Sequence, residues 1–112
     1  MPQRSKAMAD FSLYDLERRI GERAQASAEV SYTRQLIDRG VEHCARKLGE
    51  EAIETVIAAG KDDRERLIAE AADLIYHLLV LLKARGIALA EVERALAGRT
   101  GQTGLQEKMS RS

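Results

Sequence analysis

Hydrophobic residues recur every three or four positions along most of the chain, and this spacing predicts α-helices. The longest helix-like stretches are residues 41–59 and a segment that opens at a capping box formed by Asp62 and Glu65 and runs to about Arg85. Gly60 separates the two stretches and is a typical helix stop. The pattern therefore predicts two long helices that fold back on each other as an antiparallel hairpin.

Shorter helical segments flank this hairpin. The predicted segments are a first helix from a capping box at Ser12 to about Arg23, a short segment that opens at Ser31 and ends near Gly40, and a helix over 89–97. Polar and small residues outside these segments predict an unstructured leader over 1–9 and a mobile tail over 99–112. Residues 10–98 are thus expected to form one all-α domain.

The apolar faces of the two long helices are unusually wide. On the first, a stripe that includes Cys44, Leu48 and Val56 is widened on one side by Ile53 and Ile57. The second half of the other helix, residues 74–82, is apolar nearly all round, which predicts burial on several sides. Few elements of a 112-residue chain are free to cover it. We therefore predict a helical bundle completed by a homodimer with twofold symmetry.

Composition supports this all-α fold and excludes several classes of function. Lys plus Arg and Asp plus Glu both total 18, so no overall charge draws the chain to nucleic acid or to an anionic membrane. The longest apolar stretch is far shorter than the roughly 20 residues that a membrane span needs, and no secretory signal is visible. Cys44 is the only cysteine, so nothing indicates an oxidising compartment. We expect a cytoplasmic protein.

Two pairs of acidic residues are the candidate chemistry. Glu51 and Glu54 share one face of the first long helix, and Glu70 and Asp73 share one face of the second. A hairpin would bring the four carboxylates together beside an apolar stripe, where they would repel one another unless a cation neutralised them. An all-oxygen set favours Mg²⁺, with Mn²⁺ as a substitute, over Zn²⁺. The alternative is a solvated face, in which Lys47 and Arg66 neutralise the acids from one turn away.

The same residues carry a resemblance to a known family. EEAIE at 50–54 followed by EAAD at 70–73 resembles the metal signature of the MazG-like all-α nucleotide pyrophosphohydrolases. SYT at 31–33, VEHCARKLGEE at 41–51, EAADLIYH at 70–77 and GQTGL at 101–105 resemble more specifically the phosphoribosyl-ATP pyrophosphohydrolases of histidine biosynthesis. The resemblance covers roughly residues 10–108 and implies a MazG-like bundle.

The resemblance also implies a reaction. It is the hydrolysis of 1-(5-phosphoribosyl)-ATP to 1-(5-phosphoribosyl)-AMP and pyrophosphate, by metal-assisted attack of water on the α-phosphorus. It further implies Mg²⁺ dependence, a homodimer, a cytoplasmic location, and a separate cyclohydrolase enzyme for the next step. The GQTGL segment, which lacks the context of a nucleotide-binding loop, would serve at most as a flap over the substrate.

Carried over to matching positions, the resemblance predicts the site. The metal ligands would be Glu51, Glu54, Glu70 and Asp73, with Glu50 as the general base or, equally well, an ion-pair partner of Arg46 or Lys47. Candidate substrate-binding residues are Ser31, Tyr32, Thr33, Arg34, Arg46, Lys47, Tyr76 and His77. Each has a structural alternative: helix capping for the 31–34 segment, and packing beside the core for His77.

Two other functions compete with this hypothesis. A housecleaning nucleoside triphosphate pyrophosphohydrolase would use the same carboxylates on a different substrate. A helical dimerisation module without catalytic activity would carry the acids only as surface charge and would bind no divalent cation specifically.

Overall fold

The computed structural model describes residues 10–101, and this part of the chain is helical without any β-strand. The prediction of an all-α chain is therefore confirmed. The five helices are α1 (Leu13–Ala24), α2 (Tyr32–Asp38), α3 (Val41–Ala59), α4 (Arg64–Ala84) and α5 (Leu89–Thr100).

Local hydrogen bonds account for where several helices begin. The predicted capping box opens α1: Ser12 Oγ accepts from the Asp15 N–H at 3.3 Å, and Asp15 Oδ2 accepts from the Ser12 N–H at 2.8 Å. Between α2 and α3, Gly40 adopts a φ of 99°, a left-handed value that side-chain-bearing residues rarely tolerate. This glycine lets α3 start with only two residues between it and the end of α2.

Two predicted boundaries were wrong by a few residues. Asp63, and not Asp62, caps α4, because its Oδ1 accepts from the Arg66 N–H at 3.1 Å. The last helix continues to Thr100, beyond the predicted end at 97, with the Thr100 hydroxyl donating to the Leu96 carbonyl. The predicted leader over 1–9 and residues 102–112 of the predicted tail, which include most of GQTGL, lie outside the described residues.

The hairpin of α3 and α4 forms the centre of the fold. Only residues 60–63 join the two helices, which pack against each other in antiparallel directions as predicted. Helices α1 and α2 close over the half of the hairpin away from this turn, and the Leu89 N–H at the start of α5 donates to Glu17 of α1 at 2.7 Å. The buried core consists of Ile20, Leu36, Cys44, Leu79, Val80 and Leu89.

Much of the apolar surface of the hairpin is left uncovered within the chain. Val56 is 72% exposed and Ile53 is 62% exposed, although the periodicity groups Val56 with the buried Cys44. On α4, Leu79 and Val80 are buried as predicted. Ile75 and Leu78 of the same apolar stretch are exposed in the single chain, as is Ile68 nearer the start of the helix. No helix within residues 10–101 combines the length and apolarity that a membrane span requires.

Candidate metal centre

Acidic side chains from α3 and α4 converge at the middle of the hairpin. One carboxylate oxygen from each of Glu51, Glu70 and Asp73 lies within 4.8 Å of the other two. Glu51 is on α3, while Glu70 and Asp73 are on successive turns of α4. The hairpin therefore brings together three of the four predicted metal ligands, with a separation that suits shared coordination of one cation.

A threonine joins the two helices at this point. The Thr55 hydroxyl lies 2.7 Å from the Glu51 carbonyl and 3.2 Å from the Glu70 carbonyl, and it donates to both. The first contact is within α3 and the second crosses to α4. Thr55 thus ties together the backbone segments that carry Glu51 and Glu70, and it was not among the predicted site residues.

The environment of Glu70 disfavours its negative charge. Its side chain is only 16% exposed, and this burial raises the pKa of Glu70 above its ordinary value of 4.5. A hydrogen bond and the negative charge of Glu54 raise the pKa of Glu70 further, as does the charge of Glu51. Arg66 opposes the shift, but its Nε lies 4.0 Å from the Glu70 carboxylate. Glu54, the fourth predicted ligand, therefore borders the three-carboxylate group through Glu70.

The buried oxygens of this group lack protein donors. Among residues 10–101, Glu51 Oε2 and Glu70 Oε2 are buried side-chain atoms without a hydrogen-bond partner. A buried anionic oxygen without a donor is costly, and a cation would satisfy it. The expected pairing of Lys47 with Glu51 is absent, because the Lys47 ammonium contacts Glu50 at 3.1 Å. The donor set thus fits a hard divalent cation better than a face of solvated ion pairs.

Glu50, the predicted general base, is not one of the three converging carboxylates. It is exposed and forms the ion pair with Lys47 that the sequence offered as its alternative role. Its charge and this hydrogen bond raise the pKa of Lys47 above the ordinary value of lysine. Arg46 on the same helix is exposed and makes no ion pair with a carboxylate in the described part of the chain.

Aromatic residues flank the metal centre on α4. His77 is 7% exposed, and its Nδ1 lies 2.8 Å from the Asp73 carbonyl. This contact makes Nδ1 the protonated nitrogen and leaves Nε2 as an acceptor, which is buried without a partner. The His77 ring contacts the Tyr76 ring edge-on at 5.1 Å and the Tyr32 ring at 6.3 Å. His77 therefore links Tyr32, a candidate substrate-binding residue, to the turn of α4 that carries Asp73.

Other predicted substrate-binding residues serve the local fold. The Ser31 hydroxyl caps α2 by accepting from the Arg34 N–H at 3.1 Å, and it donates to the Arg23 carbonyl at 2.8 Å. Arg34 pairs with Asp38 and donates to the Ala26 carbonyl. Thr33 is buried, with its hydroxyl 2.5 Å from that of Tyr76. Thr33 thus holds α2 against α4, whereas Ser31 and Arg34 tie α2 to the chain that precedes it; their predicted binding of substrate stays a prediction.

A basic pocket lies on the same face of α3 as the metal centre, and of its lining residues the sequence analysis predicted only Tyr32 and Lys47 as substrate-binding. It has a volume of about 180 Å³ and is lined by Tyr32, Gln35, Leu36, Arg39, His43 and Lys47. The signal was present on α3, where His43, Lys47 and Glu51 recur every four residues and so share one face. Gln35 and Arg39 join that face only because α2 packs beside α3.

Comparison with known proteins connects this geometry to a family. The sequence profile of the family described as phosphoribosyl-ATP pyrophosphohydrolase matches residues 13–100, which include all five helices. The chain belongs to this phosphoribosyl-ATP pyrophosphohydrolase family. As a member, it is a hydrolase of histidine biosynthesis.

Curated relatives of this pyrophosphohydrolase match over nearly their whole length. Phosphoribosyl-ATP pyrophosphatase 1 of Bradyrhizobium diazoefficiens is 62% identical over 104 residues, covering 93% of this chain and 98% of the relative. Phosphoribosyl-ATP pyrophosphatase 1 of Rhodopseudomonas palustris is 57% identical, with 93% and 97% covered. Phosphoribosyl-ATP pyrophosphatase of Agrobacterium fabrum is 56% identical over the same shares of the two chains.

The raised pKa of Glu70 predicts how the stability of this pyrophosphohydrolase depends on pH without metal. The unfolded chain releases the Glu70 proton near pH 4.5, whereas the folded chain holds it to higher pH. The folded state thus binds more protons in this window, so its free energy of unfolding falls as pH rises through the raised pKa and levels off above it. Glu70→Gln removes this titration, and we expect wild type to lose stability relative to the variant over that range.

Urea denaturation in chelator at a series of pH values measures this difference. Glu65→Gln is the matched control, because Glu65 is an exposed acid of the same helix outside the metal centre. Its curve should run parallel to that of wild type. Parallel curves for wild type and Glu70→Gln would contradict the assigned repulsion.

Proposed function

We propose that this chain hydrolyses 1-(5-phosphoribosyl)-ATP to 1-(5-phosphoribosyl)-AMP and pyrophosphate, with a divalent cation at Glu51, Glu70 and Asp73. The observation that carries the proposal is the convergence of these three carboxylates within 4.8 Å, two of them with buried oxygens that lack donors. Membership of the family supplies the substrate, because the relatives are named for phosphoribosyl-ATP.

The proposed cation is Mg²⁺, with Mn²⁺ as a substitute, since both prefer carboxylate oxygens. When bound, it supplies positive charge to the phosphate oxygens and lowers the pKa of coordinated water. Glu54 contributes through its contact with Glu70, either as a fourth ligand or by orienting that carboxylate. Thr55 holds the two backbone segments in register.

The chain's own residues then act on the substrate around this centre. Lys47 lies about one turn, roughly 6 Å along the axis, before Glu51, and would present its charge to the phosphates of the substrate. Glu50 remains the proposed general base, because its carboxylate is exposed and its ion-pair partner Lys47 shares a face of α3 with Glu51. The Tyr32 ring is half exposed and offers an aromatic surface to the substrate, while the buried His77 ring contacts it edge-on.

Attack on the α-phosphorus is expected to release pyrophosphate as the leaving group. Turnover in ¹⁸O-labelled water should therefore place the label in phosphoribosyl-AMP and none in pyrophosphate. Chelator should abolish the reaction, and Mn²⁺ should restore part of it. Label in pyrophosphate, or release of orthophosphate, would overturn the assigned step.

A substrate comparison tests the proposed specificity. Phosphoribosyl-ATP, dCTP and dUTP are supplied separately at equal concentration with Mg²⁺, and pyrophosphate release is followed. We expect phosphoribosyl-ATP to be turned over fastest. Faster turnover of dCTP or dUTP would instead support a housecleaning enzyme.

A separate calorimetric titration with Mg²⁺ tests the third hypothesis. Binding that is equally weak in wild type and Glu54→Gln would support a dimerisation module without catalytic activity.

The uncovered apolar residues of the hairpin support a homodimer as the working form. Ile53, Val56 and Ile57 share one face of α3, and exposed apolar residues continue on α4. A self-complementary pairing about a twofold axis would bury these side chains and complete a MazG-like bundle. A cytoplasmic location is part of the same proposal, as the family resemblance implies.

A further inference from the structure

The basic pocket lies on the same helix face as the metal centre but at a distance from it. His43 and Glu51 are separated by two turns of α3, about 12 Å along the axis. Arg39 lies still farther from the carboxylates, at the end of α2. The face therefore runs from positive charge at the pocket to negative charge at the metal centre, with Lys47 between them.

Two series of contacts connect the lining of the pocket to the residues of the metal centre. On α3, Lys47 lines the pocket and also pairs with Glu50, the neighbour of Glu51. On the other side, Tyr32 lines the pocket and its ring meets that of His77, whose Nδ1 contacts the Asp73 carbonyl. One bound molecule can therefore reach both sites.

The lining of the pocket suits a phosphate monoester. Arg39 and Lys47 supply positive charge, Gln35 and His43 supply hydrogen-bonding groups, and no carboxylate lines the cavity. Arg39 makes no ion pair with any carboxylate within residues 10–101, so its guanidinium is available for the two parallel hydrogen bonds that it forms with phosphate. Burial and the nearby Arg39 lower the pKa of His43, which an incoming anion would reverse.

We propose that this pocket binds the monophosphate of the phosphoribosyl arm, and that it distinguishes phosphoribosyl-ATP from ATP. The inference rests on the proposed function and deepens it. The substrate carries phosphate at both ends, with two riboses and the adenine between them. Adjacent phosphates of the triphosphate share a bridging oxygen, so all three would lie close together near the carboxylates and Lys47. The monophosphate is at the other end of the substrate, and Arg39 and His43 lie on the side of Lys47 away from the carboxylates.

The variant Arg39→Gln tests this proposal, because it removes the charge and keeps an exposed polar side chain. We expect the KM for phosphoribosyl-ATP to rise at least about tenfold, the effect of losing one charge-assisted hydrogen bond. The kcat should stay within about twofold of wild type, since the reacting phosphate stays at the metal centre. Arg39→Lys should recover part of the loss.

Inhibition by pyrophosphate separates the two ends of the substrate. If the pocket holds the monophosphate of the phosphoribosyl arm, the inhibition constant of pyrophosphate should be unchanged in Arg39→Gln. The matched control is Arg64→Gln, at the opposite end of the hairpin, and its KM, kcat and inhibition constant should equal those of wild type. An unchanged KM would overturn the proposal, and so would a parallel loss of pyrophosphate inhibition, which would assign the pocket to the leaving group. A wild-type enzyme that leaves phosphoribosyl-ATP intact would instead refute the proposed function.

Discussion

Glu70→Gln is expected to lower the rate of pyrophosphate release by at least about 100-fold at saturating Mg²⁺ while leaving the fold intact. Glu70 is the carboxylate that meets both Glu51 and Glu54, so its loss removes the centre of the proposed ligand set. The neutral amide also removes the repulsion that raises the pKa of Glu70. The metal-free variant should therefore melt at the same temperature as metal-free wild type, or higher.

Three further measurements make this result specific. Calorimetric titration with Mg²⁺ should show the loss of binding that parallels the loss of activity. Asp73→Asn should behave in the same way, because it lies in the same three-carboxylate group. The control Glu65→Gln should retain full activity. Normal activity of Glu70→Gln with saturating Mg²⁺ would remove Glu70 from the site.

Val56→Asp is expected to convert the proposed dimer into a folded monomer. Val56 is 72% exposed in the single chain, so an aspartate there costs the isolated fold little. In the dimer the same charge would be buried in an apolar interface, which is strongly unfavourable. Size-exclusion chromatography with light scattering should show the mass of two chains for wild type and of one chain for the variant.

A second valine serves as the matched control for this experiment. Val30 is 82% exposed but lies between α1 and α2, away from the hairpin. Val30→Asp should remain dimeric, and circular dichroism should give the same helix content for all three proteins. A wild-type monomer at micromolar concentration would contradict the dimer, and a dimeric Val56→Asp would place its interface elsewhere.

Features set by local chemistry could be predicted from the sequence. The Ser12 capping box and the extent of α3 depend on residues within one or two turns, and both are confirmed. The approach of Glu51 to Glu70 and Asp73 also follows from helical spacing and a short turn. Helical spacing does not determine which of several nearby charged residues a side chain pairs with. Lys47, for example, forms an ion pair with Glu50 and not with Glu51.

Features that depend on packing between segments could not be predicted in this way. The pocket needs α2 beside α3, and the orientation of α2 depends on the left-handed backbone of Gly40 and on the carbonyls of Arg23 and Ala26, which accept from Ser31 and Arg34. For the same reason spacing alone did not reveal that Ser31 and Arg34 anchor α2 to the segment before it, and their predicted role in binding substrate stays a prediction. Periodicity marked Val56 as apolar, but it does not reveal whether the covering surface belongs to the same chain.

The Thr55 hydroxyl has a consequence for how the proposed cation would bind. Its contacts with the carbonyls of Glu51 and Glu70 join the two helices through the backbone, independently of the acidic side chains. The backbone segments that carry the carboxylates are thus held together before a cation arrives, so binding costs little backbone conformational entropy. A cation would then relieve the repulsion between these carboxylates without first drawing the two helices together.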